Sequence, residues 1–164
     1  MSEHLVSVAW QRGGAPFRGG EYSREHRWRF DGGQEVVAAA SPWIVPEERT
    51  NLAGVDPEEA FVASLSSCHM LWFLSLAEKA GYLVDRYEDL AVGVLSEDPQ
   101  GRQAITQVTL RPLVTFVGTG PDPVGLIALH ERAHAACFIA NSVKSEVSIS
   151  PREASHAGLG APQA

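Results

Sequence analysis

Residues 55–70 have the sequence VDPEEAFVASLSSCHM, which carries the strongest helix signal in the chain. Asp56 is a residue type that caps helices, and Pro57 suits the first helical position. Glu59 stands three residues after Asp56, as in a capping box. Gly81 is placed to end the helix. These residues predict a helix of more than twenty residues that begins at about residue 57.

Apolar side chains surround this helix on nearly every face, and a helix with so little polar surface is buried. The rest of the 164-residue chain predicts short strands and one more helix, which is too little to cover it. We therefore expect a second subunit to complete its surroundings. The apolar and thiol side chains are Phe61, Val62, Leu65, Cys68, Leu71, Trp72, Phe73, Leu74 and Leu76.

The remaining segments alternate or contain β-branched residues, which favours strands. A second helix is predicted from Asp122-Pro123 to about Ala140. The expected order is β-β-β-α-β-β-α-β, an α+β fold, with one domain over residues 1–150 and a flexible tail over 151–164. The predicted strands are residues 5–10, two segments that flank the turn DGG at 31–33, YEDLAVGVLS at 87–96, AITQVTLRPLVTFVG at 104–118 and KSEVSIS at 144–150.

Charge and hydropathy exclude several classes of protein. The formal net charge of −7 argues against binding to nucleic acid or to anionic membranes, because those partners need a basic face. The sequence contains no run of 18 or more apolar residues, so we expect no membrane span. Met1–Trp10 lacks the apolar core of a signal peptide, so we expect a cytoplasmic protein.

Residues 129–137, LHERAHAAC, contain a match to the zinc signature H-E-x-x-H. His130 and His134 would lie one turn apart on a helix, Cys137 would share their face, and Glu131 would serve as general base. The longer zinc-protease patterns are not completed, since only a strand and the tail follow. The preferred interpretation is a solvated surface face, with a metal site as the alternative.

The two cysteines form a second candidate site. Cys68 falls in the middle of the first helix, where apolar surroundings raise a thiol pKa, so a reactive Cys68 needs a nearby cation. Arg24 and Arg49 are the candidates, and Glu58, ten residues before Cys68, could hold either one through a bidentate ion pair. The alternative is that Cys68 and Cys137 are inert buried thiols.

Two segments resemble the OsmC/Ohr family. VDPEEAFVASLSSCHM is similar to that family's NPEELxxAxxxxC segment, and AHAACFIANSV, residues 133–143, resembles its second cysteine segment, which usually has the form CPxSNxL. The resemblance covers about residues 20–150. It implies an intertwined homodimer, with two long helices at the centre and sheets from both chains around them.

The resemblance also implies a thiol peroxidase that needs no metal, flavin or haem. Cys68 would be the peroxidatic cysteine and Cys137 the resolving cysteine, linked by a disulfide after each turnover. Glu58 would orient an arginine toward the Cys68 thiolate. Arg24 is preferred, since one branch of the family takes it from an early β-turn, and Arg49 is the alternative. The substrates would be organic hydroperoxides, and the reductant an external dithiol such as a lipoyl group.

Two residues depart from the family pattern: Phe138 stands where many members have proline, and His69 follows Cys68 directly. Apolar side chains near Cys68, namely Phe61, Leu65 and Trp72, favour alkyl or fatty-acid hydroperoxides over hydrogen peroxide. The competing functions are a metalloprotein built on His130 and His134, and a binding module that kept the fold without the chemistry.

Overall fold

A computed structural model of the chain describes residues 1–152. The chain divides into two compact units, Met1–Phe61 and Val62–Ala164, and each is described by itself. The order of elements in the described residues is β-β-β-α-β-β-β-β-α-β. The elements are β1 (Val6–Ala9), β2 (His26–Phe30), β3 (Glu35–Ala38), α1 (Pro57–Lys79), β4 (Leu83–Asp89), β5 (Val92–Glu97), β6 (Gln103–Leu110), β7 (Pro112–Val117), α2 (Pro123–Ala136) and β8 (Glu146–Ile149).

The first unit contains an antiparallel sheet in the order β1-β2-β3. The predicted DGG turn joins β2 to β3: Phe30 N–H donates to Gln34 O at 2.9 Å, and Gly33 takes a φ of 84°. A positive φ favours glycine, so the turn chemistry explains the hairpin. Val55 forms a parallel bridge with Ala38, which leads the chain from this sheet into α1.

The predicted caps of α1 are confirmed. Asp56 Oδ1 accepts the Glu59 N–H at 2.7 Å, and Glu59 Oε2 accepts the Asp56 N–H at 3.2 Å. This reciprocal pair satisfies two donors at the helix start. The helix ends at Lys79, and Gly81 follows with a φ of 82°. Local sequence therefore fixes both ends of α1.

In the described part of the chain, the buried positions of α1 form a single stripe of residues four apart: Leu65, His69, Phe73 and Ala77. Leu71, on another face, is 61% exposed. The prediction of burial on all sides is therefore not met within one chain. By length and composition alone α1 could cross a membrane, but helices in the cores of soluble proteins meet the same test.

The core of the second unit lies where α1 and α2 meet the sheet β4-β7. Its buried members are Phe73, Ala77, Leu129 and Ala133. A second sheet has the order β5-β6-β8, antiparallel between β5 and β6 and parallel between β6 and β8. A Cβ at Gly93 on β5 would lie 2.5 Å from Val62 Cγ2, so glycine permits the close approach of this part of α1.

The α+β class is confirmed, but the predicted number of strands between the helices is wrong. The segments at 87–96 and 104–118 each contribute to two strands, which belong to different sheets. The breaks face each other: Asp89, at the end of β4, accepts the Arg111 N–H at 2.6 Å through Oδ1. Pro112 has no N–H to donate, so the ladder changes partners there.

The end of the predicted domain is held by hydrogen bonds. Arg152, the last described residue, donates its N–H to Pro112 O and its Nε–H to Arg111 O, both at 2.8 Å. The rest of the predicted flexible tail, residues 153–164, lies outside the described residues. A single domain over residues 1–150 stays a prediction.

Candidate functional site

Helix α2 carries the second cysteine at its end rather than along its length. Asp122 caps the start, with Oδ1 accepting the Gly125 N–H at 2.7 Å. The helix ends at Ala136, and Cys137 is the C-terminal cap, with an extended backbone (φ −69°, ψ 113°). The predicted end at Ala140 is therefore wrong, because the last helical residue, Ala136, directly precedes Cys137.

Hydrogen bonds at this end of α2 account for the early stop. Cys137 N–H donates to His134 O at 3.1 Å, and the Asn141 Nδ2 amide donates to Ala135 O at 3.2 Å. These bonds satisfy carbonyls that a helix end leaves without partners. Since Cys137 has left the helix, it does not share a helical face with His130 and His134, as the zinc interpretation required.

Cys68 and Cys137 are brought together as a pair of free thiols. Cys68 is half-buried on α1, and Cys137 is 1% exposed. Cys68 is close enough to Cys137 to act on its thiol. Burial, and after it the neighbouring Cys68 thiol, raises the pKa of the Cys137 thiol to about 11, while an N–H from Ala140, 3.4 Å from Sγ, acts in the opposite direction. Cys137 therefore keeps its proton at neutral pH.

Aromatic side chains lie next to this dithiol. Trp72 is one helical turn after Cys68 on α1, and Phe138 directly follows Cys137. Their rings meet edge to face, with centroids 5.5 Å apart and an interplanar angle of 89°. Phe138 is 68% exposed. Leu65, which we predicted to favour apolar substrates, is instead a core residue with 1% exposure.

The H-E-x-x-H residues do not form the predicted surface. His130 is 2% exposed, whereas Glu131 is exposed, so the solvated interpretation holds only for the glutamate. His130 Nδ1 lies 3.0 Å from Nε2 of His69. Within residues 1–152, no three His, Cys, Asp or Glu side chains are arranged to hold a metal ion. The geometry therefore gives the metalloprotein alternative no support.

The His69–His130 pair is the part of the site that sequence reasoning missed. The two rings are stacked, with centroids 5.3 Å apart and an interplanar angle of 8°. Burial lowers the pKa of each imidazole to about 4, with His134 adding to the effect on His69, and His69 to that on His130. The signal was the spacing: His69 falls midway between Leu65 and Phe73 in the buried stripe of α1.

The first unit holds the predicted arginines and glutamate. Arg24 Nη1 donates to Gly20 O at 2.7 Å and to Tyr22 O, and the guanidinium lies 3.9 Å from the Tyr22 ring centroid. A Cβ on Gly20 would be 3.5 Å from both Arg24 Nη2 and Arg49 Nη1, so the two guanidinium groups are neighbours. Glu58 Oε2 is buried and accepts no hydrogen bond from the described residues, so the ion pair of Glu58 with an arginine stays a prediction.

Comparisons with known proteins agree on one fold. The profile of the OsmC-like protein family matches residues 49–152. A solved OsmC-like protein of unknown function from Vibrio cholerae is 51% identical, with 93% of this chain and 100% of that chain covered and a TM-score of 0.91. No curated protein sequence matches significantly.

Organic hydroperoxide resistance proteins are among the solved structures with this fold. The protein from Elizabethkingia anophelis is 16% identical, covers 92% of this chain and 94% of its own, and has a TM-score of 0.67. OhrB of Bacillus subtilis is also 16% identical, with 92% and 98% covered and a TM-score of 0.65. At this identity the likeness concerns the fold.

Proposed function

The chain belongs to the OsmC-like protein family, and from that premise we propose that it is a thiol-dependent peroxidase. It reduces an organic hydroperoxide to the alcohol and water, while an external dithiol, such as a dihydrolipoyl group, is oxidised to its disulfide. The reaction needs no metal and no bound cofactor, because the protein's own sulfur accepts the oxygen atom.

Cys68 and Cys137 divide the chemistry between them. The Cys68 thiolate attacks the terminal oxygen of the hydroperoxide, the O–O bond breaks, and the alkoxide takes a proton and leaves as the alcohol. Cys68 is now a sulfenic acid. The Cys137 thiol attacks that sulfur, the S–O bond breaks, and water leaves as the Cys68–Cys137 disulfide forms. The external dithiol then reduces this disulfide through a mixed disulfide.

The observation that carries the proposal is the proximity of the two thiols, since Cys68 is close enough to Cys137 to raise its pKa. A resolving cysteine has to reach the sulfenic acid before a second hydroperoxide over-oxidises it. The raised pKa of Cys137 also supports this order of roles, because a thiol that keeps its proton is a poor first nucleophile. Cys68, the more accessible of the two, is left to meet the substrate.

The aromatic pair beside the dithiol supports an organic substrate. Trp72 and Phe138 offer apolar ring surface next to the sulfurs, and much of Phe138 is accessible. An apolar group placed on these rings loses contact with water, which favours binding. The test is turnover of cumene hydroperoxide and of hydrogen peroxide with dihydrolipoamide as reductant. Absence of turnover with both peroxides would leave an OsmC-like fold without peroxidase chemistry.

Arg24 activates Cys68 in this proposal, and Glu58 orients it. The buried, unpartnered Oε2 of Glu58 supports a role in holding a cation, since buried carboxylate oxygens are normally hydrogen-bonded. Arg49 remains the alternative, as its guanidinium is next to that of Arg24.

Substitution distinguishes the two arginines. We expect Arg24→Ala to lower kcat/KM for cumene hydroperoxide by about thirtyfold, the equivalent of about 2 kcal/mol for one hydrogen bond to a charged group. Arg49→Ala is the matched control and should lower it by less than about threefold. The opposite order would assign the role to Arg49, and two unaffected variants would remove the arginine from the mechanism.

The active form is proposed to be a homodimer in the cytoplasm, where thiol pairs are kept reduced. The uncovered faces of α1, including the 61% exposed Leu71, support a second subunit over this helix. Sedimentation equilibrium is expected to give twice the 17.7 kDa of one chain. A monomer at micromolar concentration would contradict this part of the proposal.

A further inference from the structure

A polar pair, His69 and His130, lies inside the core of the second unit. Nε2 of His69 and Nδ1 of His130 are 3.0 Å apart, and the residues are 1% and 2% exposed. Burying a polar group costs free energy unless it is hydrogen-bonded, and apolar side chains of similar volume avoid that cost. The pair therefore contributes a defined geometry rather than extra stability.

The pair involves the same two elements as the dithiol. His69 directly follows Cys68 on α1, and His130 precedes Cys137 by seven residues, about two turns of α2. Phe73, one turn after His69, stacks on His130 with ring centroids 4.3 Å apart. The contact therefore joins α1, which carries Cys68, to α2, whose C-terminal cap is Cys137.

This contact constrains the helices more tightly than apolar packing does. A hydrogen bond weakens steeply when its distance or angle changes, whereas the hydrophobic effect has no preferred direction. A disulfide is equally demanding, with Cβ atoms about 3.5 to 4.5 Å apart. A small slide of α1 along α2 would change the distance between Cys68 and Cys137.

We propose that His69 and His130 are positioning residues that hold Cys68 and Cys137 within disulfide distance and so raise the effective concentration of one thiol at the other. The inference deepens the proposed function, since it concerns the same dithiol. It does not depend on hydroperoxide as the oxidant.

Two substitutions at each position separate the hydrogen bond from side-chain volume. His69→Phe keeps an aromatic ring but has no nitrogen. His69→Gln carries an amide nitrogen at about the distance of Nε2 along the side chain. At the partner position, His130→Phe and His130→Asn serve in the same way, since the asparagine amide corresponds to Nδ1. Val108→Ala, a fully buried position on β6, is the control for a general loss of stability.

The measured quantity is the equilibrium of the dithiol with glutathione. Two protein thiols and one glutathione disulfide give one protein disulfide and two glutathione thiols, quantified by alkylation and mass spectrometry. We expect His69→Phe to lower this equilibrium constant about tenfold, and His69→Gln to stay within about threefold of the native protein. Val108→Ala should lower Tm and leave the equilibrium constant unchanged.

The inference is overturned if His69→Phe leaves the equilibrium constant unchanged, or if His69→Gln loses as much as His69→Phe. Should His69→Phe fail to fold, the comparison of His130→Phe with His130→Asn decides in the same way. Because the oxidant is glutathione disulfide, a protein without peroxidase activity that still shows the tenfold loss would support the positioning role and contradict only the proposed function.

Discussion

Cys68→Ser is expected to lower kcat/KM for cumene hydroperoxide by at least about a thousandfold, as removal of a nucleophile does in other enzymes. A serine hydroxyl does not ionise near neutral pH and does not accept an oxygen atom from a peroxide, whereas a thiolate does both. The measurement is consumption of dihydrolipoamide at saturating reductant. Tm recorded in parallel should be close to the native value, since Cys68 is only half-buried.

Cys137→Ser is the matched control, because it removes the other half of the same dithiol. The first step survives in this variant: one alcohol per chain is released in a single turnover, and Cys68 remains as a sulfenic acid that a dione reagent can trap. Steady-state turnover with dihydrolipoamide falls, since no protein disulfide forms. If Cys68→Ser kept native turnover, or if the two variants exchanged behaviours, the assigned roles of the cysteines would be wrong.

Helix α1 shows what can be predicted from local sequence. Its first turn contains both partners of the capping box, Asp56 and Glu59, only three residues apart, and its end is set by Gly81. No distant residue takes part in these contacts, so a short stretch of sequence is sufficient.

The division of the strands shows where local sequence fails. Asp89 and Arg111 stand 22 residues apart, yet the Asp89 carboxylate accepts the Arg111 N–H at the point where β6 gives way to β7. A run rich in β-branched residues, such as 104–118, predicts one continuous strand, because its sequence does not identify the strands with which its two parts pair. Pro112 is the residue within the run that argues against one continuous strand.

The candidate site likewise has one part that local sequence predicts and one part that it does not. The cysteines were predicted because each belongs to a recognisable segment. The His69–His130 contact joins residues 61 positions apart, and its hydrogen bond depends on how two helices pack. Each histidine shares a helical stripe with apolar residues, a pattern that favours burial, although His130 was predicted to be solvated. No spacing within either segment identified the partner.

The second large effect is expected in acid. The stability of the fold should fall by at least about 3 kcal/mol between about pH 7 and pH 4 because of the His69–His130 pair. Both imidazoles have a folded-state pKa of about 4, against the usual 6.5, chiefly because burial opposes their charge. Between these values the unfolded chain binds more protons than the folded chain, so acid favours unfolding. One such shift accounts for about 3 kcal/mol. Protonating one ring also makes the other harder to protonate in the folded chain, so the second ring adds to this loss.

The charged and titratable groups around the pair act in opposite directions. His134 lowers the pKa of His69, and Asp89, which accepts a hydrogen bond from Ser66, raises it. A double variant, His69→Phe with His130→Phe, removes both titrating rings and leaves these neighbours in place. Urea unfolding of the native and double-variant proteins at matched pH therefore isolates the pair, because the carboxylates titrate in both.

We expect the free energy of unfolding of the double variant to change less with pH than that of the native protein, by at least about 3 kcal/mol over this window. Toward low pH the difference between the two curves should shift against the native protein, whose pair has to accept protons in a site that excludes charge. Parallel curves would mean that the two imidazoles are as easily protonated in the folded chain as in the unfolded one. Such a result would be incompatible with a neutral pair enclosed between α1 and α2, since burial of the rings is what opposes their protonation.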